Sequence, residues 1–526
     1  MHFVRIGFTI CLYFFLLICS QPSTAAAAEK PILYIPLDDR PVCLSYVVET
    51  MEAAGFSVIT PPADLLASRG RDGDPAKLWK WLYQNAGNAD AAILATDSLV
   101  YGGLVPSRRH NLSSSILSAR VAEFRKLKTD FPNLRIYAFS TLMRTPMQSF
   151  GGMEPDYYEG YGNYIFRLTA LLDKEETDGL TSSEKVEMLN LKQLIPLAVN
   201  QDWFARRQKN MDVNTTLVTL AREQIFHYLV IGKDDNAPLS QTHREARRIK
   251  QQTSDIDLAR FQLIPGVDQL GLLLLARSVH EKSWERPYIA VQYADGTGAS
   301  TLPLYSDQKI GESIDAQIFA LGGTPAYTQE DAKLLLAVNT PANGITQEAN
   351  SVENLPFSSP SSKRLADSIA DLVKQKKLPV AVADVAYANG ADNGFMTVLS
   401  KNGALPELAA YAGWNTADNK IGYALAQGIL STRMAKEKRA DLLRERLLDD
   451  WAYQANIRKM LLTDYIQPGK LNPYRLGMSS RKLQLIVTDE MESFQRANPA
   501  LGLAAYDYTF PWNRLFEIQV SKRPSN

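Results

Sequence analysis

The side chains in this sequence that could do chemistry are aspartates that follow short apolar stretches resembling β-strands. Residues 31–37 (PILYIPL), for example, run straight into Asp38, Asp39 and Arg40. Ligands bind beyond the carboxyl ends of strands in α/β proteins, so carboxylates in this position are candidates for a functional site. We expect helix caps to account for about half of them. The aspartates at predicted strand ends are Asp38, Asp39, Asp97, Asp234, Asp235, Asp268, Asp295 and Asp384.

Carboxylates gathered in one cleft suit general acid/base catalysis with a second carboxylate as nucleophile or base, as in glycoside hydrolysis. In a doublet such as 38–39 or 234–235, the two side chains point in different directions. A working pair must therefore come from different strands. The candidate catalytic residues on this argument are Asp39, Asp97, Asp235 and Asp384.

Other polar side chains near predicted strand ends could bind substrate. Arg40 and Arg144 could clamp a carboxylate, a phosphate or a sugar hydroxyl, and an ion pair with a neighbouring aspartate explains them equally well. Trp414 and Asn415 together suit a sugar, whereas Trp414 alone is better explained as a core residue at a domain boundary. The candidate substrate-binding residues are Asp38, Arg40, Arg144, Asp268, Asn389, Asp392, Trp414 and Asn415.

The sequence predicts no cofactor, although a divalent cation held by aspartate and asparagine oxygens is an open alternative. The histidines beyond residue 28 are not spaced as a metal-binding pair, so a zinc site is not expected and no metal ligand is assigned. The sequence also lacks a GxGxxG turn after its first strand, a P-loop and a GxSxG elbow. Dinucleotide binding, P-loop phosphoryl transfer and an α/β-hydrolase triad therefore have little support.

The elements that must position these residues alternate between apolar strands and amphipathic helices, which predicts an α/β fold with mostly parallel strands. Two α/β lobes are expected, at residues 30–285 and 286–431, and a helical insertion interrupts the first at about 164–224. Residues 432–526 are predicted to form a helical C-terminal brace and tail, with one long helix from Met434 to about Ile466. A decorated (β/α)8-like barrel is the alternative, because the predicted strands slightly overfill eight.

Residues 1–28 have the pattern of a secretory signal peptide. Arg5 supplies the charge, an apolar stretch follows to Cys19, and small residues end at Ala28. Cleavage near Ala28 would leave a secreted or extracytoplasmic protein without a transmembrane segment. Cys43 would then be its single cysteine, so no intramolecular disulfide is expected.

Length and charge limit the kind of partner. The chain has 526 residues, enough for two or three domains, and 57 basic residues balance 57 acidic ones. This balance gives no electrostatic case for nucleic acid or an anionic membrane surface. We expect a small-molecule or glycan ligand, and the oligomeric state is left open.

Several of these motifs together resemble a bacterial family of unknown function, DUF4127. The resemblance covers nearly the whole chain after residue 28 and implies one integrated family domain rather than a fusion, but it supplies no activity. The matching stretches are 34–41 (YIPLDDRP), 96–104 (TDSLVYGGL), 232–236 (GKDDN), 265–268 (PGVD), 383–392 (ADVAYANGAD), 412–416 (AGWNT) and 511–514 (PWNR).

The function that these features favour is an exported hydrolase that uses strand-end carboxylates on a carbohydrate or cell-envelope glycan. Two alternatives remain. One is a non-catalytic solute- or glycan-binding protein that closes two lobes over its ligand. The other is a metal-dependent hydrolase of phosphate or amide bonds.

Overall fold

A computed structural model describes residues 30–149 and 151–523, and it confirms the α/β class. The first half of the chain forms a six-stranded, all-parallel sheet in the order β2-β1-β3-β4-β5-β6. Its strands are β1 (Ile32–Ile35), β2 (Val58–Ile59), β3 (Ala91–Ala95), β4 (Arg135–Leu142), β5 (Tyr228–Lys233) and β6 (Phe261–Pro265).

A second parallel sheet of five strands follows, in the order β13-β11-β9-β7-β8. The two sheets begin with the same strand order. In each sheet, the first strand along the chain lies between the second and the third, as β1 lies between β2 and β3 and β7 lies between β8 and β9. Both are open, and no closed barrel is found in the described residues. The later strands are β7 (Tyr288–Tyr293), β8 (Thr324–Pro325), β9 (Leu334–Asn339), β10 (Gln347–Glu348), β11 (Val380–Asp384), β12 (Tyr387–Ala388), β13 (Ala410–Ala412), β14 (Tyr506–Thr509) and β15 (Gln519–Lys522).

Helices cover both faces of each sheet, which explains why most strand residues are apolar and buried. The helices are α1 (Ser45–Ala53), α2 (Pro75–Ala86), α3 (Thr96–Val100), α4 (Leu104–Arg109), α5 (Ser114–Asp130), α6 (Tyr158–Thr177), α7 (Ser182–Leu194), α8 (Leu197–Arg222), α9 (Gln241–Gln252), α10 (Leu270–Lys282), α11 (Ile310–Ala320), α12 (Pro360–Gln375), α13 (Asn393–Lys401), α14 (Ala417–Leu430), α15 (Lys436–Leu447), α16 (Arg458–Leu461) and α17 (Ser479–Ala497).

The largest apolar core lies between the two sheets. Successive strand residues point to opposite faces, so Tyr34 of β1 enters this shared core while Leu33 enters a separate core against α2 and α5. In β9, Leu336 enters the same shared core and Leu335 faces the other side. Helices α10 and α14 pack against each other within it. The two sheets are therefore joined by continuous apolar packing.

The predicted long helix near the C-terminus is observed. Helix α15 continues through wider π-helical turns at Leu448–Ile457, then α16, and then a second π segment at Leu462–Ile466. Beyond α17, β14 and β15 pair antiparallel. The turn residues between them, from Phe510 to Ile518, pack back onto the body of the protein, and Trp512 is buried.

No helix within 30–149 and 151–523 is long and apolar enough to cross a membrane. The predicted signal peptide at residues 1–28 lies outside the described residues.

Candidate functional site

A polar cleft opens at the carboxyl ends of the strands, where the two sheets and the C-terminal turn meet. Its empty space is about 650 Å³, part of which is open solvent. Side chains from both sheets contribute to its walls, as the parallel topology dictates. The polar and aromatic residues that line it are Arg40, Arg108, Arg144, Lys233, Asp234, Asp235, Asp268, Tyr305, Asn415, Thr416, Asn419, Trp512, Arg514 and Phe516.

Arg40 is the centre of one group of charges in the cleft. Its Nε and Nη2 atoms donate to the two carboxylate oxygens of Asp38, each at 2.9 Å, and Nη2 also donates to Asp268 at 2.8 Å. Burial alone would lower the pKa of Arg40, but the carboxylates of Asp268 and Asp38 outweigh it and raise that pKa. Asp38 is fully buried, so it orients Arg40 rather than facing a ligand.

Asn415 connects the second sheet to this group. Its Nδ2 donates to Asp268 at 2.9 Å, and its backbone has φ +91°, a left-handed conformation that few residues other than glycine adopt. The carboxamide oxygen of Asn419, at the start of α14, accepts hydrogen bonds from the backbone N–H groups of Val267 and Asp268. The loops that follow β6 and β13 are thereby fixed together.

A second group of charges is centred on Glu154, whose side chain is completely buried. Arg144 donates to Glu154 at 2.6 Å and to Asp235 at 2.8 Å. Arg108 contacts Glu154 at 3.6 Å and forms a short ion pair with Asp234. The group therefore alternates between carboxylates and guanidinium groups along one wall of the cleft.

Asp235 is the most exposed carboxylate of this group. Its side chain is 27% exposed, compared with 6% for Asp234 and 0% for Glu154. Burial and the adjacent charge of Asp234 raise the pKa of Asp235, although Arg144 and Arg108 oppose this shift. Asp235 is thus a reachable carboxyl group that holds its proton more tightly than usual.

Asp39 is half-buried and contacts the cleft wall at Trp512, but it does not itself line the cleft. Its Oδ1 accepts a hydrogen bond from the indole N–H of Trp512 at 2.7 Å. Burial raises the pKa of Asp39, while the bonds from Trp512 and Ser68 oppose the shift. Arg40 and Arg514 lie 5.3 and 4.8 Å from the centre of the Trp512 ring.

The other two candidate catalytic aspartates, Asp97 and Asp384, also do not line the cleft. Asp97 is buried and accepts hydrogen bonds from the backbone N–H (3.1 Å) and hydroxyl (2.7 Å) of Thr141, and burial raises its pKa to about 7. Asp384 is fully buried and accepts from Asn339, Tyr411 and the backbone N–H of Asp392, at 2.7–2.9 Å. These hydrogen bonds indicate that Asp97 and Asp384 stabilise the interior of the fold.

Three further predicted binding residues, Asn389, Asp392 and Trp414, do not line the cleft. Asp392 caps α13 by accepting from the N–H groups of Gly394 and Phe395. Asn389 donates its backbone N–H to the carbonyl of Asn415 at 2.8 Å. Trp414 is 5% exposed and packs on Phe516 with 5.4 Å between ring centres, so it is a core residue rather than an open platform for a sugar.

Sequence reasoning missed several side chains in the cleft. Lys233 lies in the GKDDN motif and Arg108 lies four residues after the TDSLVYGGL motif, but neither was predicted as a site residue. Trp512 and Arg514 lie in the PWNR motif and were likewise not predicted to bind or catalyse. Lys233 forms an ion pair with Asp307, a contact between the two halves of the chain. The PWNR motif was the one sequence feature that indicated a role for the C-terminal turn, which forms part of the cleft wall.

Within the described residues, no group of three or more His, Cys, Asp or Glu side chains is placed to hold a metal ion. The divalent cation remains a prediction.

The protein is thus an α/β protein with two open parallel sheets, which share a core and meet at a charged cleft. The chain matches the family described as "Protein of unknown function (DUF4127)" over residues 32–521, and it therefore belongs to that family. The resemblance inferred from its motifs is confirmed. A comparison with curated proteins gave no significant match.

Proposed function

We propose that this protein is a hydrolase of a carbohydrate or cell-envelope glycan and that the charged cleft is its active site. The observation that carries the proposal is Asp235, a carboxyl group exposed in a cleft whose other carboxylates are almost fully enclosed by ion pairs. A general acid must reach the substrate and must hold a proton at working pH. Asp235 is reachable from the cleft, and its pKa is shifted in the direction that a general acid needs.

The second carboxylate of the proposed reaction is Asp268, which lines the same cleft although only 5% of its side chain is exposed. Asp235 follows β5 and Asp268 follows β6, and these neighbouring strands are paired. Asp235 gives its proton to the leaving-group oxygen as the glycosidic C–O bond breaks. Asp268 assists the attack of water on the sugar carbon, so that a new C–O bond forms and the water proton is taken up. Arg40 and Asn415 hold Asp268 in place.

The test compares the natural protein with Asp235→Asn on a panel of reducing-end-labelled glycans. Removal of a general acid typically lowers the rate by about 10²–10⁴-fold, so turnover should fall by at least about a hundredfold. The thermal shift produced by the same glycan should persist, because the amide that replaces the carboxyl group keeps the shape of the site. Asp371→Asn, which replaces an exposed carboxylate on α12, is the matched control and should leave turnover unchanged.

Two results would contradict the proposal. Full turnover by Asp235→Asn would remove Asp235 from the reaction. Binding of a glycan without product from any variant would favour the alternative function, a non-catalytic glycan-binding protein. The continuous core between the two sheets disfavours a wide lobe closure in that alternative.

A further inference from the structure

A second cavity adjoins the cleft. Val105, Met153 and Trp512 line both spaces and therefore form the wall between them. The empty space of this second cavity is about 1160 Å³, including open solvent. A ligand that extends past Trp512 from the cleft would enter it.

The second cavity is rich in guanidinium groups. Arg69, Arg109 and Arg475 line it, and the carboxylate among its lining residues is Asp72. In the described part of the chain, none of the three arginines forms an ion pair with a carboxylate. This contrasts with the cleft, where Arg40, for example, pairs with both Asp38 and Asp268.

The hydrogen bonds of these arginines leave donors unused. Arg69 donates to the carbonyl of Gly151 at 3.2 Å, and Arg109 donates to the carbonyl of Gly152 at 2.9 Å. The Nη1 atom of Arg69 is buried and, among the described residues, has no hydrogen-bond partner. A buried donor without a partner costs free energy that a bound acceptor would recover.

Positive charges also crowd each other here. Burial, followed by the charges of Arg514 and Arg475, lowers the pKa of Arg69 to about 10. An anion in the cavity would relieve this repulsion and accept the free N–H groups. Guanidinium groups suit carboxylate and phosphate, because they can donate two parallel hydrogen bonds to either.

We propose that this second cavity is a subsite for an anionic group, a carboxylate or a phosphate, on the ligand that occupies the cleft. The inference rests on the proposed function and deepens it: the substrate is an acidic glycan rather than a neutral one. The sugar that bears the anion lies past Trp512, and the bond to be cleaved lies beside Asp235.

The experiment measures binding by calorimetry, at low salt, of an oligogalacturonide and of its neutral methyl ester. Their sugar backbones are the same, so the difference in affinity reports on the carboxylate group that the ester masks. We expect the acid to bind at least about tenfold more tightly than the ester, a difference typical of one charge-assisted contact. Inorganic phosphate is a separate arm, and competition with the acid would show that the subsite also accepts phosphate.

Arg475→Gln is the main variant, because Arg475 is exposed and its replacement should not disturb folding. It should remove most of the preference for the acid. Arg69→Gln should do the same and tests the buried donor. Arg481→Gln, which replaces an exposed arginine on α17, is the matched control and should keep the preference.

Equal binding of acid and ester by the natural protein, or an unchanged preference in Arg475→Gln, would overturn the subsite. So would the failure of the acid and of phosphate to bind at all. Asp235→Asn separates the two proposals: it should lose turnover and retain the preference for acid. If it loses turnover while no variant shows a charge preference, only the subsite fails.

Discussion

At the scale of single residues, the aspartates at strand ends have two different environments. Asp235 is partly exposed beside Arg144 in the cleft, whereas Asp97 and Asp384 are enclosed by hydrogen-bond donors. Burial raises the pKa of all three. A raised pKa therefore accompanies both a candidate acid and a structural anchor here, and exposure distinguishes them.

Asp97 provides a test of this distinction through stability. Its folded pKa of about 7 lies above the usual value, so the stability that its protonated form contributes is present at low pH and is lost as pH rises to about 7. Asp97→Asn has no proton to lose. The free energy of unfolding of the natural protein should therefore fall relative to that of Asp97→Asn as pH rises. The difference between the two proteins should change by on the order of 2 kcal/mol between pH 5 and pH 8, in favour of Asp97→Asn.

Urea denaturation of both proteins across this pH range measures the effect. Asp130→Asn, at an exposed position in α5, is the control and should show no such trend. A difference between Asp97→Asn and the natural protein that stays constant with pH would show that Asp97 does not titrate there.

At the scale of elements, the position of the cleft depends on how closely α14 approaches its neighbours. Gly422 of α14 has no side chain, and a Cβ atom there would overlap Cγ of Gln269 and Oε1 of Gln317. Asn419, one turn earlier, holds the loop that carries Asp268. The contact at Gly422 therefore sets the distance between the second sheet and one wall of the cleft.

Gly422→Ala should lower the free energy of unfolding by about 1–3 kcal/mol, because the added methyl group overpacks this contact. Gly160→Ala is the matched control, since Gly160 also lies in a helix but has nothing within 4 Å of its Cβ position. The control should be neutral or more stable, as alanine favours helix by up to about 1 kcal/mol. Thermal and urea unfolding of both variants measure these changes. An equal change in the free energy of unfolding for Gly422→Ala and Gly160→Ala would contradict close packing at Gly422.

At the scale of the whole molecule, the two sheets share their largest core. Leu274 of α10 and Ile421 of α14 belong to it, together with strand residues of both sheets. The ion pair between Lys233 and Asp307 adds a polar link between the two halves of the chain. The sheets should therefore unfold together rather than as separate units.

Native-state hydrogen exchange tests this cooperativity. The central amides of β4 in the first sheet and of β11 in the second should exchange with the same free energy of opening. A clearly lower value for β11, or two separate transitions in calorimetry, would show that the sheets unfold independently.

Local sequence patterns were sufficient to predict the α/β class, the family, and the long helix that ends at Ile466. These follow from local patterns: apolar runs that end in polar residues, and helical periodicity. The same patterns put Asp235, Asp268, Arg40 and Arg144 after strands, and the topology of parallel strands then brings strand ends to one edge of a sheet.

Which carboxylates face solvent could not be predicted from these local patterns, because it depends on tertiary contacts. Asp384 and Asp235 look alike in sequence, yet the donors that enclose Asp384 come from three separate segments. Trp512 reaches Asp39 across 473 residues and divides the cleft from the arginine-rich cavity. A local sequence pattern indicates where a strand ends. The exposure of a carboxylate and its ion pairs depend instead on contacts between segments that are distant in sequence, and these contacts form only when the chain folds.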